Sequence, residues 1–297
     1  MSVRSPFVAC LIVAGGILSG VSPVLAQGKG KGLAKGRGKA PTPTVSASSA
    51  GAPVATGIRQ FGAWLDDASI VEPGGGWAAI SLSHFRSSGG RQTDFPIVDG
   101  AVGLAPRVQI GITVPYYRLS FADRTTASGL GDVYLAAKVG LIDPAETASG
   151  FGLAVTPLVE ILADPDPVGQ RNFHWGAPVS VEWRQPKYRL YGSSGWFSRG
   201  AFFASGAVEL PLTQRLIATG AVVLTRALND DPNADAIGLS KSRIDLTGGA
   251  AFFVTPTVGV FSSVGRTISA QDSNAASFML SAGVSIGFAG GSASAVP

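Results

Sequence analysis

Cysteine is nearly missing: Cys10 stands alone among 297 residues, so no intrachain disulfide can form and a disulfide scaffold is excluded. Charge is also scarce. Asp, Glu, Lys and Arg make up 14% of the chain against 45% hydrophobic residues, with 2 histidines and 2 methionines. That balance argues against an ordinary cytosolic enzyme. Mean hydropathy is +0.29. Even so, beyond the N-terminus no apolar run reaches the roughly 18 residues a membrane helix needs, which excludes a helical membrane protein. Two histidines without metal-ligand spacing make a zinc or copper site unexpected, and no cofactor is expected either. Gly89-Gly90 and Gly74-Gly75-Gly76 lack the strand-to-helix context of a phosphate cradle. What the chain has in quantity is glycine, 40 residues, and a hydrophobicity that must be hidden in an alternating pattern. Strands do this.

The N-terminus reads as an export signal over residues 1–26. Met1 to Arg4 is a basic start, Pro6 to Leu18 an apolar core, and Val24-Leu25-Ala26 a small-residue cleavage site. Residues 27–52 are rich in Gly, Lys, Pro and Ser and hold no large anchor, so composition predicts a disordered linker. Its five cations (Lys29, Lys31, Lys35, Arg37 and Lys39) could meet anionic lipid, but a solvated linker is the simpler reading. Removing Arg4 and those five from the 23 basic residues leaves 17 against 19 acidic ones, a net of about −2 for residues 51–297. The basic balance therefore belongs to the tail, and nucleic acid is not an expected partner. Residues 53–75, with Phe61, Trp64, Leu65, Ile70 and Val71, are apolar enough for a plug or a periplasmic-side element.

From residue 76 the chain alternates. Phe278, Leu280, Ala282, Val284, Ile286 and Phe288 share one face; Met279, Ser281, Gly283, Ser285 and Gly287 share the other. Val133, Leu135, Ala137, Val139 and Leu141 alternate with Asp132, Tyr134, Ala136, Lys138 and Gly140. Val108, Ile110, Ile112 and Val114 do the same, and a bulge at Pro115 is expected to shift the phase so that Tyr117, Leu119 and Phe121 carry the apolar face. Twelve strands are predicted, near 76–85, 97–104, 107–121, 130–141, 151–162, 175–184, 187–195, 200–210, 215–226, 242–254, 257–267 and 277–288. The connections alternate between mostly tight, proline-containing turns and mostly longer polar loops. An even strand count with short turns at one end and long loops at the other is the outer-membrane barrel pattern. The fold class is all-β: a transmembrane antiparallel β-barrel over 76–288 with a tail at 289–297.

A soluble sandwich fits less well. Asp132, Lys138, Glu160, Arg243 and Asp245 all fall on the face opposite the apolar one, beside Gly, Ala and Ser where a sandwich would show Lys, Glu and Thr. In a closed barrel those five charges line the lumen, as a bracing ionic network or as a selective constriction. A hairpin pairing 141 with 151 would set Asp132 opposite Glu160, two like charges needing a cation from Lys138, Arg118, Arg184 or Arg243. Trp175, Trp183, Phe278 and Phe288 end strands on the apolar face and predict an aromatic girdle. His84 beside Ser81 or Ser83 is a weak candidate for a barrel hydrolase. Asp164, Asp166, Asp230, Asp231 and Asp235 cluster in loops without calcium-loop spacing.

The run DGAVGLAPRVQIGITVPYY (Asp99–Tyr117), followed by GLGDVYLAAKVGL (Gly129–Leu141), resembles the outer-membrane transporter family associated with meta-pathway phenol degradation. The likeness covers Asp99 to Ile161. It implies a transporter-like or channel-like barrel for hydrophobic or aromatic compounds. The chain departs from the usual barrel ending, since Ala289–Pro297 follows Phe288. The expected function is thus an outer-membrane channel or facilitator for small molecules, not an enzyme, with outer-membrane lipid, lipopolysaccharide and a small solute as partners. Two rivals stand beside it: a closed structural or envelope-anchoring barrel, and an outer-membrane lipid hydrolase. Oligomeric state is open.

Overall fold

The structure, a computed structural model, describes residues 65–163, 172–198, 200–228, 242–270 and 275–288. The expected signal, the linker, residues 53–64, the acidic loop clusters and the 289–297 tail lie outside the described residues.

Fifteen strand segments form one antiparallel sheet: β1 (Gly76–Arg86), β2 (Gly90–Ala105), β3 (Val108–Phe121), β4 (Thr126–Leu130), β5 (Val133–Ile142), β6 (Phe151–Val155), β7 (Leu158–Ile161), β8 (Phe173–Gly176), β9 (Val179–Arg184), β10 (Arg189–Phe197), β11 (Ala201–Pro211), β12 (Leu216–Ala227), β13 (Ser242–Phe253), β14 (Val258–Ala270) and β15 (Phe278–Phe288). Three pairs are halves of single staves, so the segments make twelve strands. Pro157 interrupts β6/β7 and Pro178 interrupts β8/β9, because proline has no N–H to give the ladder. Their carbonyls still accept, from Ala137 N and Thr156 N, both at 2.9 Å. Gly131-Asp132 separates β4 from β5.

The sheet closes on itself. β1 pairs with β15 without interruption from Gly76↔Phe288 to Arg86↔Phe278, which removes both sheet edges. At the seam the Phe288 ring lies over Gly76, where a Cβ would come within 2.2 Å of it. Side chains alternate as expected. Ile80, Ile110, Ile112, Leu135, Val181, Leu246 and Ile286 are exposed on the outer wall, while Ser81, Thr113, Lys138, Ser180, Asp245 and Ser285 are buried on the inner one.

Two local expectations need correction. The phase does not slip at Pro115: Gln109, Thr113, Tyr117 and Leu119 all point inward on one unbroken parity. The slip lies on the facing strand, where the β2–β3 ladder jumps from Asp94↔Tyr117 to Ile97↔Pro115 around Phe95-Pro96. For the same reason residues 90–96, expected in a loop, are strand: the bulge breaks their alternation. The β5–β6 hairpin opens on Ile142↔Leu153 instead of 141 opposite 151, and after the shift beyond Gly140 the ladder leaves Glu160 paired with Tyr134 instead of Asp132.

Candidate functional site

The described part of the 53–75 segment runs inside the barrel before it becomes β1. Gly74 N and Gly75 O bond the Gly103 backbone, at 2.8 and 3.0 Å. Val71 N donates to Gln109 Oε1 at 2.8 Å, and Val71 packs on Trp77, Ala79 and Ala101. At the far end Leu65 packs on Tyr191 and Ala221. Leu65–Val71 therefore crosses the bore from the β2–β3 wall to the β10–β12 wall. The wall makes room for it with glycine. A Cβ on Gly103 would lie 2.2 Å from Glu72 O, and one on Gly152 would lie 3.0 Å from the Ala68 Cβ. The small inward residues that distinguish this sequence from a sandwich partly serve this passage.

Asp66 and Asp67 hold the segment. Lys138 Nζ donates to Asp66 Oδ1 at 2.8 Å and to Asp67 Oδ1 at 3.0 Å. Thr156 and Ser180 hydroxyls donate to Asp66 Oδ2 at 3.2 and 3.3 Å. Arg189 bonds Asp67 Oδ2, Glu182 Oε1 at 2.7 Å and Glu209 Oε2 at 3.0 Å, with its guanidinium over the Tyr191 ring. Arg184 reaches Glu182 Oε1 at 2.7 Å and Ser69 Oγ at 2.8 Å, and Ser69 Oγ donates to Glu182 Oε2 at 2.6 Å. Lys138, Arg184 and Arg189 thus meet Asp66, Asp67, Glu182 and Glu209, three cations against four carboxylates. Burial pushes the Asp66 carboxyl up against the opposing pull of Lys138. A network this dry gives little net stability as a whole, but removing one partner strands a buried charge.

The five charges predicted to line the lumen all lie on the inner wall, in separate places. Lys138 belongs to the segment network and does not neutralise Asp132 and Glu160. Glu160 Oε1 accepts from Tyr134 Oη at 2.5 Å, and Tyr134 packs with Leu158, Phe197, Phe203 and Val223 in a buried inward cluster. Asp132 Oδ1 accepts from Ala163 N at 3.0 Å. Arg243 pairs with Asp245 at 2.9 Å, and Thr267 Oγ1 donates to Asp245 at 2.6 Å. Arg118 faces outward. Trp175, Trp183, Phe278 and Phe288 are exposed on the outer wall near strand ends. Trp175 meets Trp196, and Trp183 meets Tyr188, in edge-on pairs 5.4 and 5.9 Å apart.

The histidines separate. His84 faces outward onto Thr93 Oγ1 at 2.8 Å, on the wall opposite Ser81 and Ser83, so the hydrolase candidate pair does not form. His174 is buried on the inner wall, with Nδ1 3.4 Å from Ser198 Oγ, which already accepts from Trp175 N at 3.0 Å. Sequence reasoning missed Asp66, Asp67, Glu182, Arg189 and Glu209 as site residues. The available signal was an adjacent acidic pair inside an otherwise apolar stretch.

No family model matches the chain, and no curated protein matches it. Solved structures do. An outer membrane channel from Pseudomonas putida F1 superposes with a TM-score of 0.57 at 13% identity, over 75% of this chain and 98% of that one. The NanC porin gives 0.51 at 11% identity, over 70% and 98%. Identities this low carry the fold alone. They show that the chain shares its closed β-barrel fold with outer-membrane channels, and its apolar outer wall agrees with that fold, while the resemblance to the phenol meta-pathway transporters rests on the sequence of Asp99–Ile161 alone.

Proposed function

We propose that the protein is an outer-membrane channel for small solutes whose bore is restricted at rest by its own Leu65–Gly75 segment. The observation that carries this reading is the nature of the barrier. A separate length of chain, tied by Asp66 and Asp67 to Lys138 and Arg189, fills the space between polar walls. Twelve strands about 4.8 Å apart and tilted about 40° give a backbone radius of roughly 12 Å. Withdrawing the segment would leave a bore lined by hydroxyls, paired charges and the inward cluster of Tyr134, Leu158, Phe197, Phe203 and Val223. Ser83, Thr219 and Thr247 present buried inward hydroxyls that no described group satisfies, as suits walls that water wets. The inward aromatic cluster around Phe197 and Phe203 supports an apolar or aromatic solute over a sugar. The barrel end at Gly76 and Phe288 then faces the periplasm, and the opposite end faces outside.

One observation favours the closed structural barrel instead: inner-wall side chains such as Ser180, Glu160 and Ser285 are fully buried. Liposome swelling across polar and aromatic solutes separates the two. Wild type should be slow and a segment-released variant fast, with aromatic solutes favoured. A released variant that admits nothing would make the barrel structural. The hydrolase reading gains nothing from His174, which lies on the inner wall, away from lipid.

A further inference from the structure

Outward residues at the end of the barrel away from Gly76 and Phe288 form a basic row. Arg86 and Arg91 are direct cross-strand partners on β1 and β2, flanking the tight turn closed by Ser87 N to Gly90 O at 2.8 Å. On β3, Arg118 pairs with Thr93, and Thr93 in turn with His84. Across the closure seam Arg86 faces Phe278, and extending the β14–β15 register by one residue beyond Gly265↔Met279 brings Arg266 beside Phe278. All four arginines are exposed. Among the described residues none of the four joins an ion pair, whereas the inward Lys138, Arg184, Arg189 and Arg243 each do. Two guanidinium groups directly opposite on neighbouring strands repel, and the arrangement costs stability unless an anion lies between them.

Depth identifies the anion. From Gly76 to Arg86, at about 3.4 Å per residue and a tilt near 40°, the chain climbs roughly 26 Å, the height of an outer-membrane apolar band. Below Arg86 the outer wall of β1 carries Ile80 and Leu82, and that of β15 carries Leu280, Val284 and Ile286. The row therefore sits where hydrocarbon gives way to headgroups, facing lipid and not the bore. Arginine binds phosphate through paired N–H donors, and the Phe278 side chain between Arg266 and Arg86 offers apolar contact to the acyl chains below.

We propose that Arg86, Arg91, Arg118 and Arg266 form a binding site for the phosphorylated headgroup of an outer-leaflet glycolipid. The inference rests on the outer-membrane reading of the barrel and is independent of what the bore conducts. The full-length folded protein in detergent micelles is titrated with diphosphoryl lipid A, with the same lipid after phosphate removal, and with inorganic phosphate as competitor. Bound lipid is counted by native mass spectrometry. Arg86→Gln/Arg91→Gln is compared with Arg215→Gln, an exposed arginine at the opposite end. Phosphate removal and the double substitution should each weaken binding at least tenfold, with Arg215→Gln equal to wild type. Equal binding of the dephosphorylated lipid, unchanged binding by the double variant, or displacement by inorganic phosphate at matched concentration would each overturn the site. Liposome swelling on the same preparations keeps the two ideas apart: a barrel that binds the lipid and never conducts removes the channel and supports the site.

Discussion

Lys138→Gln tests the link between the inner wall and the segment. Among the described residues Lys138 is the only cation on the Asp66 carboxylate, whose other partners are the hydroxyls of Thr156 and Ser180 and the Asp67 N–H, whereas Asp67 keeps Arg189. Removing one member of a buried ion pair costs about 3–5 kcal/mol, which would shift the docked-to-released balance by roughly a hundred- to several-thousand-fold. The β5 ladder to β3 and β7 does not use the Lys138 side chain, so the wall should fold and insert as before. The loss falls on the segment alone. Ala68→Cys, on a Cys10→Ser background, reports release, because Ala68 is fully buried when the segment is docked. Maleimide labelling of folded protein in vesicles should be slow in the parent and fast after Lys138→Gln. Adding Asp66→Asn removes the stranded charge and should restore much of the protection. Unchanged labelling after Lys138→Gln, or loss of the folded barrel's electrophoretic mobility, would refute the reasoning.

Val139→Arg, one residue away on the outer face, should do the opposite: it costs the barrel up to ~2–4 kcal/mol of folding free energy in bilayers and leaves the segment docked. Equal barrel stability for the two variants would contradict the assigned faces. Gly103→Val places side-chain atoms where Val71 O and Glu72 O now lie, so it should speed Ala68→Cys labelling and solute entry while the barrel still folds. The raised Asp66 carboxyl means that docking takes up a proton. Such a shift costs docking above the raised pKa and relaxes as pH falls through it, so acid should slow the labelling of Ala68→Cys by more than it slows that of an exposed cysteine on the same barrel, whose loss of thiolate is the same; a smaller slowing would reverse the sign. On intact cells, protease should reach an epitope inserted at Asp231 but not one at Pro256, and the reverse pattern would invert the topology.

Period-two alternation made the barrel legible, because a side chain's face depends only on its parity along a strand. That local rule yielded twelve strands, the inward placement of Asp132, Lys138, Glu160, Arg243 and Asp245, and the outward placement of Trp175, Trp183, Phe278 and Phe288. It failed where parity depends on a partner. The sequence pointed to Pro115 as the bulge, and only the β2–β3 register shows that the extra residue lies around Phe95-Pro96. The same limit hid the Tyr134↔Glu160 pairing. By itself the sequence determined the wall, its two faces and its number of strands. The tertiary structure alone decided what occupies the bore. Asp66 meets Lys138 across 72 residues, and Asp67 meets Arg189 across 122, so no periodicity or spacing near either end records the contact. Two carboxylates on a short apolar stretch look like solvated surface until closure of the sheet sets Lys138 and Arg189 against them and removes the water that would otherwise have screened them.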